Sequence, residues 1–394
     1  MDSTATGMRV PSRTWAEVDL GAVRHNVGTL KRRARNSRLM AVVKADAYGH
    51  GSVEVARACV EAGADFLAVV TVEEGAELRR GGLEAPILVF TDLLPDKLPL
   101  AREHRLIVTA HSVPSARRIV AHRGLEAHLK VNTGMNRWGV EPSEVGEARK
   151  ILESRLTGVY THFASADSDE GATRRQIERF DSVLAAQSFG GALVHAANSA
   201  ATLWHPGAHY DCVRPGVALY GLHPAGDRGD PASENLRPAM ALKSYVAGVR
   251  RLSGGDGVSY GLTFRAEAPM FAATVSVGYA EGYRRALSGR AEALIRGLRR
   301  PLLGRVTMDA CVFGADEGVE VGDEVVLLGA QGEERVTAEE LGLRAGTINY
   351  EITTGINPRR VERRYEDVRG SQVEASRQEV GGSNRDLPRP ALPP

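Results

Sequence analysis

The sequence predicts two domains of different texture, an N-terminal (β/α)8 barrel of the TIM type followed by a mostly β C-terminal domain. Three observations predict it. Eight short apolar runs alternate with Ala/Glu/Arg-rich segments of helical spacing over residues 14–238. The intervals between runs suit a strand plus a returning helix, and an open doubly wound sheet is the alternative topology with the same alternation. After about Pro238, helical spacing gives way to short β-prone runs separated by glycine turns.

Taken in order, residues 1–13 are polar and read as a flexible N-terminus. Thr14 to Leu20 alternates like a strand and is a candidate to pair with the C-terminal domain rather than with the barrel. A helix should carry the basic cluster Lys31-Arg32-Arg33-Ala34-Arg35, which reads as a solvated helix face rather than an interaction patch. The eight barrel runs are Met40 to Lys44, Phe66 to Val70, Ile87 to Phe90, Leu106 to Thr109, Ala127 to Val131, Leu156 to His162, Leu193 to Ala197 and Cys212 to Arg214. Helices are expected at Val53 to Ala62, Val72 to Arg80, Pro114 to His122 and Pro142 to Glu153. In the second domain, residues 239–369, strands are expected at Leu242 to Val249, Phe271 to Val277, Glu292 to Arg296, Val306 to Phe313 and Glu324 to Leu328. Residues 370–394 are Ser, Gln, Glu, Arg, Gly and Pro rich, lack the apolar content to pack, and read as a disordered tail.

Composition narrows the function. With 394 residues, 43% of them hydrophobic, and a net charge of +1, the chain has the make-up of a soluble globular protein and offers no electrostatic case for nucleic acid. Cys59, Cys212 and Cys311 are too few and too scattered for a disulfide framework or a zinc knuckle, which fits a reducing compartment. No signal-peptide core opens the sequence and no run of about 18 apolar residues follows, so a cytoplasmic protein with no membrane partner is expected.

The chemistry gathers on one lysine. Four apolar residues run into Lys44 where a glycine-punctuated turn begins, next to Tyr48 and Gly49-His50-Gly51. Burial lowers a lysine's pKa and exposes a usable amine, so such a residue suggests a Schiff-base lysine. A lysine whose stem lies on apolar surface while its head reaches water would look the same. Barrel active sites lie at the carboxyl ends of the strands. There Lys44 ends the first strand, Lys130 and Arg137 flank the turn after the fifth, and His162 ends the sixth, with Ser199 after the seventh and Arg214-Pro215-Gly216-Val217 after the eighth. Ser199 offers a hydroxyl and Gly216 lets backbone N–H groups approach phosphate oxygens, although either residue alone is also ordinary turn chemistry.

The stretch Leu39 to Gly51 matches the lysine signature of the alanine racemases, and the resemblance extends from about Ser12 to Arg364. It runs through Thr14 to Leu20, Lys130 to Gly139, Thr161 to Asp167, Asn198 to Ala200, Val213 to Val217, Val258 to Gly261, Val277 to Tyr279, Gly304 to Asp309 and Thr347 to Glu351. The resemblance implies a pyridoxal phosphate enzyme that interconverts L- and D-alanine and supplies D-alanine for peptidoglycan. Lys44 would carry the cofactor and serve as base for the D-enantiomer, and Tyr260 from the neighbouring subunit of a homodimer would serve for the L-enantiomer. His162 and Arg214 would lower the tyrosine's pKa, and Arg214 would face the pyridine nitrogen. Tyr48, Ser199, Gly216, Val217 and Tyr350 would hold the phosphate. Arg137 and the Met308 backbone of the second subunit would hold the substrate carboxylate, with Lys130, carbamylated in many relatives, aiming Arg137. Asp167, Tyr279, Arg285, Arg305 and Asp309 match the family's substrate entrance. The chain departs from the family's usual pattern at Asn132 and Glu281, where aspartate is common, and at Thr307, where some members have cysteine.

Other functions carry less of the sequence. A pyridoxal phosphate amino-acid decarboxylase shares the plan, but its Cys-Asp or Cys-Glu stretch is absent: Val213 and Val312 follow Cys212 and Cys311. A pyridoxal-phosphate-binding homeostasis protein ends after the barrel. His205 and His209 have helix-face spacing for a metal, but Pro206 and Gly207 interrupt it, so no metal site is expected. Alanine is favoured as substrate because Tyr260, Tyr279 and Tyr350 would crowd the site beyond Cβ, with serine or a broader amino-acid range as the alternative.

Overall fold

The computed structural model describes residues 13–366. The flexible N-terminus expected at residues 1–13 lies outside that range except for Arg13, which pairs with Glu281 at 2.7 Å; the expected tail at 370–394 lies wholly outside it.

Eight parallel strands form the barrel: Arg38–Val42, Phe66–Val69, Ile87–Val89, Val108–Ala110, Ala127–Lys130, Leu156–Tyr160, Leu193–His195 and Cys212–Val213. The bridge between Leu88 and Ile107 joins the third strand to the fourth and closes the ring, which settles the choice against an open sheet. Seven of the eight strands are buried over most of their length, and Leu193–His195 is buried at His195, because helices cover the outside and side chains fill the inside, as expected of a parallel barrel. Helix Val72–Arg80 coincides with its expected span, starting at a capping box in which Thr71 and Glu74 satisfy each other's backbone N–H groups. The basic cluster closes helix Leu20–Ala34, where Lys31 pairs with Asp65 and Arg33 with Glu234, so it is a surface face tied down locally.

Strand Thr14–Asp19 belongs to the second domain. It pairs antiparallel with the long strand Met240–Leu252 and parallel with Glu362–Glu366, so the first strand among the described residues stitches the two domains together. Met240–Leu252 also pairs with Met270–Val275 and with Glu324–Gln331. Hairpin Glu292–Ile295 to Leu298–Pro301 and two helices, Ala338–Ala345 and Asn349–Thr354, also belong to the domain. The strand expected at Val306 to Phe313 is Cys311–Ala315 instead. Thr307 explains the delay: its hydroxyl donates to the Ala310 carbonyl at 2.7 Å and accepts the Ala310 N–H at 3.1 Å, turning the chain where pairing would otherwise start. Among the described residues no helix is long and apolar enough to cross a membrane.

Candidate active site

Lys44 lies two residues beyond its strand, at the head of the expected glycine-punctuated turn, but the left-handed conformation begins before the first glycine. Ala45, Asp46, Ala47 and Tyr48 all have φ of 52–53°, a left-handed turn built from residues that carry a Cβ. Such a conformation costs about 1–2 kcal/mol per residue and needs outside support. Glu74 accepts the Ala45 N–H at 2.8 Å, and Asp46 accepts the Ser52 N–H at 2.9 Å. Arg363 lies 2.7 Å from the Asp46 carboxylate and donates to the Gly49 carbonyl at 2.8 Å. Gly49 must be glycine, since its φ is 86° and a Cβ would lie 2.1 Å from the Thr353 carbonyl oxygen. The turn sets Lys44 and Tyr48 on the wall of one cleft.

That cleft, a cavity of about 510 Å³ at the carboxyl ends of the strands, is strongly cationic. Lys44, Lys130, Arg137 and Arg214 line it, against the single carboxylate Asp167, itself 2.9 Å from Arg228. Burial, then Arg137, lowers the Lys44 pKa, with Glu74 opposing. Lys130 is pushed down to about 7 by burial first and then by Arg137, Arg214 and Lys44. A cleft with this balance concentrates anions. The Lys130 ammonium and the Arg137 guanidinium both lie 5.6 Å from the centre of the Trp138 ring, a cation–π platform that the sequence did not single out.

One end of the cleft is a phosphate-sized cradle. Asn198 caps the helix that Ser199 begins, and the Ser199 hydroxyl accepts the N–H groups of Gly216 at 2.8 Å and Ala218 at 3.3 Å. Val217 lies between them and opens the turn Val217–Tyr220. A Cβ on Gly216 would come within 2.5 Å of the Tyr48 hydroxyl, so the glycine keeps open the space that the phenol faces. Tyr350 completes the set, its ring 6.2 Å from that of Tyr48 and its hydroxyl donating to the Pro224 carbonyl at 3.2 Å. Burial raises both phenols, so they act as neutral donors. Hydroxyls, backbone N–H groups and a depressed lysine around one cavity fit a cofactor that brings a phosphate and an aldehyde.

Arg214 forms the floor. It is 3% exposed, stacks over Tyr160 at 5.0 Å, and donates to the carbonyls of Thr161 at 2.8 Å and Ala196 at 3.1 Å. Its Nη1 lies 2.9 Å from His195 Nδ1 and its Nη2 lies 3.3 Å from His162 Nδ1. His195 continues to His128 through a 2.9 Å contact. Burial first and Arg214 next push His128 down to about 3 and hold His162 and His195 well below the usual histidine range, so all three rings are neutral. Because an arginine only donates, His195 accepts at Nδ1 and donates from Nε2 to His128. Burial pushes Arg214 down to about 10, so it stays charged at neutral pH. A Cβ on Gly158 would lie 2.6 Å from three atoms of the His128 ring, which shows why that strand carries a glycine. His128 and His195 carry no signal in the sequence beyond a polar residue inside a buried strand.

The remaining expected residues do not reach this cleft. Tyr260 is 73% exposed and Met308 57% exposed on the β domain. The Tyr279 N–H donates to the Thr307 carbonyl at 3.0 Å and the Ala280 N–H to Met308 at 2.9 Å, while Ser259 donates to Arg305 at 2.7 Å. Ser288 donates to the Arg285 carbonyl and accepts the Val306 N–H at 3.0 Å, joining Arg285 to the same group. Tyr260, Tyr279, Arg285, Arg305, Met308 and Asp309 therefore sit together on the β domain, while only Asp167 of the expected entrance residues lines the cleft. His205 and His209 bond to separate carbonyls, those of Ala166 and Thr202.

Comparison with known proteins agrees with this geometry. Residues 18–224 match the family model "Alanine racemase, N-terminal domain" and residues 239–365 match "Alanine racemase, C-terminal domain". The chain is 47% identical over 367 residues to an alanine racemase of Symbiobacterium thermophilum, covering 89% of this chain and 97% of that one. The crystal structure of alanine racemase from D-cycloserine-producing Streptomyces lavendulae is 40% identical with a TM-score of 0.84, over 91% of this chain and 98% of that one. The Bacillus anthracis enzyme, solved with bound L-Ala-P, is 37% identical with a TM-score of 0.84, over 91% of this chain and 96% of that one. Two matched domains in order, nearly full-length coverage and a shared fold mean that this chain belongs to the alanine racemase family.

Proposed function

We propose that the chain interconverts L- and D-alanine with pyridoxal phosphate at the barrel cleft, using two bases contributed by two copies of the chain. The observation that carries the reading is an unequal division of parts. The cleft holds a depressed lysine and an anion cradle in one copy, while Tyr260 stands exposed on the β domain outside it.

Pyridoxal phosphate, when bound, draws electrons from the substrate Cα and makes its proton labile. Tyr48, Ser199, the backbone at Gly216 and Val217, and Tyr350 would hold the phosphate, and Lys44 would anchor the aldehyde end. Arg137 takes the substrate carboxylate, helped by the Met308 backbone of the second copy. Lys44 moves the proton at one face of Cα and Tyr260 of the second copy moves it at the other, since racemisation must remove a proton from one face and supply it at the opposite one. Arg214 keeps its own proton and would face the ring nitrogen as a donor, leaving that nitrogen unprotonated. Through His162 it also supplies positive potential that makes a tyrosine a better base. Lys130, neutral above about pH 7, can take up CO2 as a carbamate, and the resulting anion would aim Arg137. Tyr279, Arg285, Arg305 and Asp309 of the second copy, with Asp167 of the first, form the entrance. D-alanine for peptidoglycan is the physiological product of this reading, and three buried free cysteines fit a cytoplasmic setting.

The test is a panel of single L-amino acids with chiral product analysis. Alanine should exceed serine in kcat/KM by at least about tenfold, because an apolar pocket rejects an added hydroxyl by roughly a hundredfold at most. Lysine and arginine should stay near background. A preference for either basic substrate contradicts the alanine assignment, and CO2 release without racemisation contradicts the reaction class.

A further inference from the structure

Arg137 rides on a closed loop whose geometry depends on one side-chain amide. Val131 and Val140 pair at the neck, where the Val140 N–H donates to Lys130 at 2.8 Å and the Asn132 N–H to Val140 at 2.9 Å. Within the loop, Asn132 Oδ1 accepts the N–H groups of Gly134 at 3.2 Å and Asn136 at 3.1 Å. Its Nδ2 donates to Asn136 Oδ1 at 3.0 Å and to Glu141 Oε1 at 2.7 Å. Every hydrogen-bonding position of the amide is used. Asn136, the residue just before Arg137, is held at φ 55°, in the left-handed region, so the direction in which Arg137 leaves the loop depends on these bonds.

We infer that Asn132, locked to Glu141, is a positioning residue that fixes the loop backbone from which Arg137 reaches the substrate carboxylate, while Lys130 acts on the guanidinium itself. The inference rests on the proposed role of Arg137. An aspartate at 132 would keep the two backbone N–H bonds but could donate neither of the others, and it would set a second carboxylate 2.7 Å from Glu141. Glu141 and Asn132 are therefore a matched pair: with an acid at 141, the loop needs an amide at 132. The converse arrangement, an acid at 132 with an amide at 141, restores one donor and removes the repulsion.

The experiment compares Asn132→Asp, Glu141→Gln, the double variant and Arg137→Ala as holoenzymes. Alanine KM and kcat, competitive inhibition by propionate as a bare carboxylate, and melting temperature are measured for each. Asn132→Asp should raise the alanine KM and the propionate Ki together by about 3- to 10-fold, with kcat within twofold and an unchanged melting temperature. Glu141→Gln should stay within twofold of wild type, because its amide oxygen still accepts. The double variant should recover KM and Ki to within twofold. An unchanged KM in Asn132→Asp, or a double variant no better than the single one, overturns the inference. Arg137→Ala separates the two levels. A loss of propionate inhibition there, with Asn132→Asp unaffected, overturns only the positioning role, whereas unchanged inhibition in Arg137→Ala overturns the reading of the site and the inference with it.

Discussion

Gly216→Ala places a methyl group 2.5 Å from the Tyr48 hydroxyl, well inside any real carbon–oxygen contact. The phenol must retreat by at least about 0.5 Å to reach the 3.0 Å at which such contacts begin. It has little room, because Tyr48 is 8% exposed and its ring packs 4.9 Å from Tyr220 and 6.2 Å from Tyr350. The cost falls on the phosphate cradle, where losing one hydrogen bond to a charged group is worth about 1.5–3 kcal/mol, or roughly 10- to 150-fold in affinity. Titration of apoenzyme with pyridoxal phosphate, followed by the visible absorbance of the holoenzyme, measures it directly. The apoenzyme melting temperature is the control for folding. A variant that binds the cofactor within twofold of wild type would refute the placement of the phosphate between Tyr48 and Gly216.

Three other perturbations probe separate parts of the site. Borohydride reduction of the holoenzyme followed by peptide mapping should label Lys44, and a label on Lys130 instead would exchange their roles. Lys130, at about 7, opposes folding most at low pH, where it is charged and buried, and that opposition fades as pH rises from about 7 toward the ordinary lysine value of about 10.4. In CO2-free buffer, where no carbamate forms, Lys130→Met should therefore flatten the rise of melting temperature with pH across that window, and a slope equal to wild type would show the lysine is not depressed. Arg363→Ala removes the ion pair and the carbonyl bond that brace the left-handed turn. It should cost about 2–3 kcal/mol in a denaturant melt and loosen cofactor binding, and a loss of stability without loss of binding would separate the brace from Tyr48.

Much of the scaffold was legible because burial leaves a periodic trace. Runs such as Phe66 to Val70 and Ile87 to Phe90 are apolar because both faces of a barrel strand are covered, and the observed strands fall inside them. The pairing of Thr14–Asp19 with the second domain was readable as a strand, although only the structure supplies its partners, Met240–Leu252 and Glu362–Glu366. What stayed hidden depends on distant partners. Ala45 to Tyr48 carry no left-handed signal of their own, and their conformation is imposed by Glu74, Ser52 and Arg363, residues up to the far end of the described chain. His128 and His195 sit in runs that look like core, and their meaning appears only when the ring closure brings both beside Arg214. Thr307 delayed a strand through a side-chain bond that hydropathy cannot register.

The central claim is that one working site needs Lys44 from one copy and Tyr260 from another. Mixing Lys44→Ala with Tyr260→Phe chains tests it most directly. Each homodimer has two defective sites, whereas a mixed dimer collects both lesions in one site and leaves the other intact. The account predicts that racemase activity, absent from either variant alone, returns on mixing under conditions of subunit exchange, approaching about a quarter of the wild-type rate at equal amounts: half the dimers are mixed, each with one of two sites working. No recovery, with exchange demonstrated by differently tagged chains, would contradict it.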